Sequence, residues 1–334
     1  MTRHFLDIDD LSCAELEEVL TLASQPAAAA AAVLTGRGAA LLFEKPSART
    51  RNSTELAVVA LGGHPVYIQG LEVGIDTRET AEDVARTLAC YHAVICARVL
   101  DHEVLVRMVR ALDGPRADRG GADGGGADGG GVDGGGGTVP VVNLLSDRAH
   151  PCQVIADLLT LRQVFGDLGG RTLAYVGDAN NVWRSLALGA AMVGMAFRTA
   201  APDGYGPDAD DVDRATRLGG DIEVTTDPAE AVAGADAIYT DVWTSMGQED
   251  EAELRLKAFS GFTVDDDLLA RAAPDAVVLH CLPAHRGEEI SAAVIDGPRS
   301  RVWRQATNRM HAMRGLLGWL LGPGSSGTDG GTRQ

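Results

Sequence analysis

AALLFEKPSARTRNSTELAVVALGGHPVYIQ occupies residues 39–69 and contains one complete strand, helix and strand. The apolar run Ala39–Phe43 reads as a buried strand, and a helix is expected from Ala48 to about Leu61. PVYIQ at 65–69 then returns to strand, which is the grammar of a parallel sheet with crossover helices. The alternation goes on with a helix from Glu79 to Tyr91, the strand AVICA at 93–97, a helix from His102 to Leu112 and the strand VPVVN at 139–143.

A long helical pattern from Pro151 to Phe165 follows, its apolar positions Val154, Ile155, Leu158, Leu159 and Leu161 suiting one helix face. It is expected to bridge two domains, because the grammar then restarts. TLAYVGD at 172–178, a helix from Val182 to Met195, AFRTAA at 196–201, a helix near Asp210–Leu218, DIEVT at 221–225, ADAIYTD at 235–241 and DAVVLHC at 275–281 make a second sheet. The last helix, Asn308–Leu320, has no strand after it and could fold back on either domain. The fold class is therefore α/β, with two doubly wound parallel-sheet domains. At 334 residues the chain exceeds the roughly 100–200 that one core usually absorbs, so two domains are also the expectation from length. Their bounds are placed at 1–148, with a glycine-rich insert at 114–138, and at 149–305, followed by a helix at 306–322 and a disordered tail at 323–334. Asp123, Asp128 and Asp133 recur every five residues within the insert. A calcium-binding β-roll needs a nine-residue period with large apolar residues, so a flexible loop is the better reading.

A formal net charge of −18 argues against nucleic acid or an anionic membrane as partner, since such binders need a basic field. An anionic small substrate would need local cations, and Lys45, Arg49 and Arg51 supply a dense cluster. The five cysteines contain no CxxC pair, which points away from disulfides and zinc and toward a reducing compartment. The start lacks a long apolar run behind basic residues, and no stretch approaches the ~20 apolar residues of a membrane span. A cytoplasmic protein is expected.

Five motifs carry chemistry, each at the end of an expected strand or the start of a helix. In Phe43-Glu44-Lys45-Pro46-Ser47-Ala48-Arg49-Thr50-Arg51, backbone N–H groups, the helix dipole, two hydroxyls and two guanidiniums converge, which suits a phosphate dianion. The competing reading is an N-capped helix with a solvated basic face. His150-Pro151-Cys152-Gln153 opens the bridging helix with a histidine and an amide that could both address a carbonyl oxygen. Gly177-Asp178-Ala179-Asn180-Asn181-Val182 is a strand-to-helix turn of the ligand-placing kind, but it lacks the GxGxxG spacing of a dinucleotide site. Asp241-Val242-Trp243-Thr244-Ser245-Met246-Gly247 and His280-Cys281-Leu282-Pro283 each follow a strand directly. Asp241 could hold an ammonium group and Cys281 could contact an amine, although a buried small hydrophobe is the commoner fate of a lone cysteine.

In order and spacing, FEKPSARTR, HPCQ, GDANNV, DVWTSMGQE, HCLPAHRGEE and Asn308-Arg309 resemble the ornithine carbamoyltransferases from about residue 5 to residue 320. The resemblance implies a carbamoyl-phosphate domain, then an ornithine domain, with two terminal helices packed on the first, and a homotrimer with interdomain sites. It implies that Ser47, Ala48, Arg49 and Thr50 grip phosphate, joined by Arg98, and that His150 and Gln153 hold the carbamoyl group. Asn181, Asp241, Ser245 and Met246 match ornithine contacts, while Cys281, Leu282 and Arg309 close over the reacting centre. Arg49, Arg98, His150 and Cys281 are the catalytic set that it suggests. Neither metal nor organic cofactor is implied.

The chain departs from that pattern at three places. Ala48 stands where threonine is usual, removing one hydroxyl but no backbone N–H, at an expected cost of ~1 kcal/mol in phosphate binding. Gly74 stands where bacterial relatives often carry glutamine, and the glycine-rich insert has no counterpart. Transfer to another amine (putrescine, an acylated ornithine or aspartate), a non-catalytic homologue, and a Cys281 hydrolase using His280 or His285 as base are the alternatives.

Overall fold

The computed structural model describes residues 3–26, 30–114, 139–244 and 249–322. The glycine-rich insert from residue 115, the tail from residue 323, and Ser245 and Met246 lie outside the described residues.

Two parallel sheets form, as the alternation predicts. The first comprises β1 (Gly38–Phe43), β2 (His64–Gln69), β3 (His92–Arg98) and β4 (Val141–Leu145) in the order β2-β1-β3-β4. The second comprises β5 (Thr172–Val176), β6 (Ala196–Ala200), β7 (Asp221–Thr225), β8 (Ala237–Thr240) and β9 (Val277–His280) in the order β7-β6-β5-β8-β9. Every strand pairing in both is parallel. The central strands read as unbroken apolar runs because helices cover both faces: Ala39 through Phe43 are all buried. Edge strand β7 instead carries exposed Asp221 and Glu223, charges that discourage a further strand from adding there.

The helices are α1 (Cys13–Ser24), α2 (Ala48–Ala60), α3 (Gly70–Val73), α4 (Ala81–Ala89), α5 (His102–Asp113), α6 (Pro151–Phe165) and α7 (Asn181–Met192). They continue with α8 (Ala209–Arg217), α9 (Pro228–Val232), α10 (Ala252–Ala258), α11 (Asp266–Leu269), α12 (Ala292–Ile295) and α13 (Val302–Leu321). Helix α4 is shorter than its expected span of 79–91, because Thr80 caps it by accepting from Asp83 N at 3.2 Å. Helix α13 begins at Val302 rather than Asn308; its first turn turns Gln305 inward while Trp303 stays exposed, so no apolar stripe announces it.

Helix α6 is buried from Pro151 through Leu161, as expected of a helix packed on every side. It runs between the two sheets' helical layers and packs on α1, α7 and α13. Helix α13 lies across α1, α2 and α6. Its crossing with α1 requires glycine: a Cβ on Gly315 would come within 2.7 Å of Ala23 N. Gly74 likewise has a local cause, its φ of 65° lying in the left-handed region that a glutamine side chain would occupy only with strain.

Each sheet has one point where the chain reverses its direction of travel, between β1 and β3 in the first and between β5 and β8 in the second. Crevices open beyond the carboxyl ends of strands at such points. The two crevices face each other.

Candidate active site

A cleft of about 960 Å³ lies between the carboxyl ends of the two sheets. Most of its wall is made of turns that follow strands, joined by residues of α7, α10 and α13, so residues from Lys45 to Arg309 meet there.

One lip is the turn from β1 into α2. Ser47 caps α2, its Oγ accepting from Thr50 N at 3.4 Å. The N–H groups of Ala48 and Arg49 belong to the first turn and have no partner within the helix, and they carry the positive end of the helix dipole. The register pairs Phe43 with Arg98, so the last residue of β3 stands beside this turn. Glu44 fixes the two together: its N–H donates to Arg98 O at 2.9 Å, and its carboxylate accepts from Leu100 N at 2.7 Å. Arg98 is buried in the cleft wall, and its Nε has no hydrogen-bond partner among the described residues. Burial, with Arg309 and Arg49 nearby, lowers Arg98 to about 10, which still leaves it charged at neutral pH. Arg49 is exposed to the cleft and makes no ion pair among the described residues. An excess of positive charge with unmet donors is what a phosphate site requires before the phosphate arrives.

Arg51 corrects the expected cationic cluster. Its guanidinium stacks 3.8 Å from the Tyr67 ring centroid and its Nε donates to Glu55 at 2.8 Å, outside the cleft lining. One helical step turns it away from Arg49.

The floor is the start of α6. His150 is buried, its backbone N–H donating to Ser185 Oγ at 3.0 Å while Ser185 donates to Asp7 at 2.7 Å. Asp7 is held in turn by Arg214 of α8 at 2.9 Å. Burial and the cations Arg309, Arg98 and Arg49 push His150 well below its usual range, so the ring is neutral. Gln153 is engaged at both ends of its amide. Its amide Nε2 donates to Asp157 at 2.7 Å and its carbonyl Oε1 accepts from Arg309. The acceptor end of the amide therefore faces Arg309, and Gln153 lines a smaller cavity that shares Arg49, Cys281 and Arg309 with the cleft.

The other lip belongs to the second sheet. Thr240 pairs with both Val176 and His280, so the residues after β5, β8 and β9 emerge side by side. Asp241, buried at 5% exposure, accepts from Asn180 Nδ2 at 2.8 Å and from the Cys281 thiol at 2.8 Å. Asn180 also caps α7, accepting from Val182 N at 2.9 Å. Asn181 donates to Ser146 O at 2.6 Å, tying this lip to the turn after β4. Asp178 and Arg255 form a 3.0 Å ion pair at the edge of the lip. Leu282, with φ of 63°, and Arg309 complete the wall.

The Cys281 hydrolase does not fit. Burial and Asp241 push the thiol well above its usual range, so it stays protonated and donates to Asp241. His280 cannot serve as base, since its Nδ1 accepts from Leu282 N at 2.9 Å and its Nε2 donates to buried Glu289 at 2.9 Å. His285 is exposed and pairs with Glu288 at 3.4 Å. Asp241, His280 and Cys281 do place ligand-type atoms within 4.8 Å of one another, but the same hydrogen bonds occupy them.

Glu44 and Asn180 stand inside the quoted motifs but carry no expected role, and Arg255 and the Asp7–Ser185 pair are not singled out at all. The role of Asn180 could have been read from its position at the N-cap of the helix that the motif opens. Glu44 and Asp7 act through residues far away in sequence.

Unmatched cations on one sheet and a carboxylate hydrogen-bonded to a thiol on the other face each other across one cleft, which gives it two chemically unlike ends. The chain belongs to the aspartate/ornithine carbamoyltransferase family: the family's carbamoyl-P binding domain matches residues 3–163 and its Asp/Orn binding domain matches residues 169–320. An ornithine carbamoyltransferase of Acidothermus cellulolyticus is 48% identical over 328 residues, covering 96% of this chain and 97% of that one. Among solved structures, the ornithine carbamoyltransferase of Thermus thermophilus superposes with a TM-score of 0.81 at 43% identity, covering 96% of this chain and all of that one. That of Pyrococcus furiosus gives 0.83 at 40%, covering 94% and 96%.

Proposed function

We propose that this chain transfers the carbamoyl group of carbamoyl phosphate to the side-chain amine of L-ornithine, giving L-citrulline and phosphate. The observation that carries the reading is the pairing of unmatched cations at the α2 lip with the Asp241–Cys281 pair at the opposite lip.

In this reading the phosphate sits on the first turn of α2, held by the Ser47 and Thr50 hydroxyls, the Ala48 and Arg49 N–H groups, and the Arg49 and Arg98 guanidiniums. His150, Gln153 and Arg309 surround the carbamoyl group. The amine enters between Asp241 and Cys281, with Asn181 beside it. A free side-chain amine has a pKa near ~10.4 and must be neutral to attack, and the Asp241 carboxylate can orient the ammonium before its proton is lost. As nitrogen bonds to the carbamoyl carbon, charge builds on the carbamoyl oxygen among Arg49, Thr50, Arg98 and His150, in a pocket already organised to receive it. The carbon–oxygen bond to phosphate then breaks, and the leaving phosphate takes the amine's proton. Cys281 remains a thiol throughout and forms no bond to the substrate. We also assign residues 1–148 to the carbamoyl-phosphate half, 149–305 to the ornithine half, and 306–322 to a helix returning to the first, in a cytoplasmic homotrimer. Among the described residues, no helix is long and apolar enough to cross a membrane.

The purified protein is expected to form citrulline from ornithine and carbamoyl phosphate, and to reject aspartate, putrescine and N-acetylornithine by at least ~100-fold in kcat/KM. Colorimetric ureido detection across that panel checks it. Turnover with another amine but not ornithine would reassign the substrate, and a folded protein inactive with all four would refute the reading.

A further inference from the structure

Behind the cleft a buried carboxylate collects hydrogen bonds from three elements. Asp157 lies one turn after Gln153 on α6 and is fully buried. Its Oδ1 accepts from Gln153 Nε2 and from Gln305 Nε2 of α13, each at 2.7 Å. Its Oδ2 accepts from Tyr239 OH of β8 at 3.1 Å. Gln305 is itself oriented, because its carbonyl accepts from His280 N at 2.9 Å. The other face of Gln153 meets Arg309, whose second nitrogen donates to Thr50 Oγ1 at 3.3 Å. Arg309 is buried, and these two contacts are to neutral oxygens; Asp157 stands behind the Gln153 amide as its nearest hydrogen-bonded counter-charge.

An amide held between two neighbours is fixed most firmly when both oppose its reversal, and the penalty on the flipped orientation falls when either one stops opposing it. Arg309 only donates, so it accepts only the carbonyl end of Gln153. Asp157, when ionised, only accepts, so it takes only the N–H end. A protonated Asp157, or an asparagine in its place, can donate as well as accept, and so removes its half of the penalty, leaving Arg309 alone to hold the amide.

We propose that Asp157 is a positioning residue that locks the Gln153 amide, and through it Arg309, in the orientation facing the carbamoyl group. The proposal rests on the carbamoyl-transfer reading above. The groups facing Asp157 are Gln153 on its own helix, Gln305 and Arg309 from α13, Tyr239 from β8, and Cys281 after β9. Burial outweighs the three hydrogen bonds and Arg309, and raises the carboxyl to about 7. The acceptor-only state that the lock needs is thus present above that pH and lost below it.

The test is the pH profile of kcat/KM for carbamoyl phosphate in the wild type, D157N and Y239F. At about pH 8.5 D157N is expected to be ~10-fold slower, with the KM for ornithine unchanged, since a small loss of orientation at the reacting group is costly. By about pH 6 the gap should close to under ~2-fold, because the wild-type residue is then also neutral. Y239F removes one donor to the carboxylate and should move the wild-type midpoint to higher pH, which carries the test if D157N does not fold. A deficit in D157N that is the same at every pH, or no deficit, or a Y239F midpoint that does not move, would overturn the lock. If the wild type makes no citrulline, the transfer reading fails, and calorimetric affinity of the same proteins for carbamoyl phosphate tests the lock by the same closing gap.

Discussion

Arg49→Ala is expected to lower kcat/KM for carbamoyl phosphate by roughly three orders of magnitude while leaving the thermal unfolding midpoint within a few degrees of the wild type. Arg49 touches no carboxylate among the described residues and is exposed to the cleft, so the fold loses nothing when it goes. In the proposed reading its guanidinium is one of two aimed at the departing phosphate, where negative charge is greatest as the carbon–oxygen bond breaks. Arg51→Ala, two residues along the same helix, is the matched control. Because Arg51 spends its charge on Glu55 and Tyr67, its removal should change activity by less than ~3-fold. Steady-state kinetics with both variants, alongside melting curves, separate the catalytic contribution from the basic character of the helix. Equal losses in the two would mean that a diffuse field, rather than the Arg49 fork, does the work.

Asp241→Ala is expected to act on the other substrate. Asp241 accepts from both the Asn180 amide and the Cys281 thiol and is buried at the lip where, in the proposed reading, the amine enters. Its loss should lower kcat/KM for ornithine by ~100- to 1,000-fold, because in the proposed reading the ammonium loses its carboxylate and two half-buried donors, Asn180 and Cys281, lose their acceptor. Carbamoyl phosphate affinity, measured by calorimetry, should stay within ~2-fold of the wild type, since Asp241 lies on the lip opposite the phosphate grip. A fall in both affinities would show that Asp241 holds the cleft together rather than receiving the amine.

These two residues were legible in the sequence for one physical reason. Parallel sheets place ligands beyond the carboxyl ends of their strands, so a site residue is contiguous with the apolar run it terminates. Arg49 follows AALLF through one turn, Asp241 follows AIYT directly and Cys281 follows VVLH directly. What was not legible depends on pairing between distant positions. Asp157 meets Gln305 across 148 residues, and Asp7 meets Ser185 across 178, and nothing local to any of the four marks it as polar and buried. The same cause hid the start of α13: Gln305 faces inward for a hydrogen bond, and an inward glutamine breaks the apolar periodicity by which a helix is read. The partners that hold both ends of the Gln153 amide were out of reach for the same reason, one being a buried carboxylate one turn along and the other Arg309, 156 residues away. The turn of Arg51 onto Tyr67 was equally out of reach, since β2 supplies the ring only once β1 and β2 have paired.

The most direct test of the account is a crystal structure with carbamoyl phosphate bound. Its phosphoryl oxygens should lie within hydrogen-bonding distance of the Ala48, Arg49 and Thr50 N–H groups and of the guanidiniums of Arg49 and Arg98. A phosphate bound elsewhere in the cleft, or an Arg98 side chain that leaves it untouched, would contradict the account.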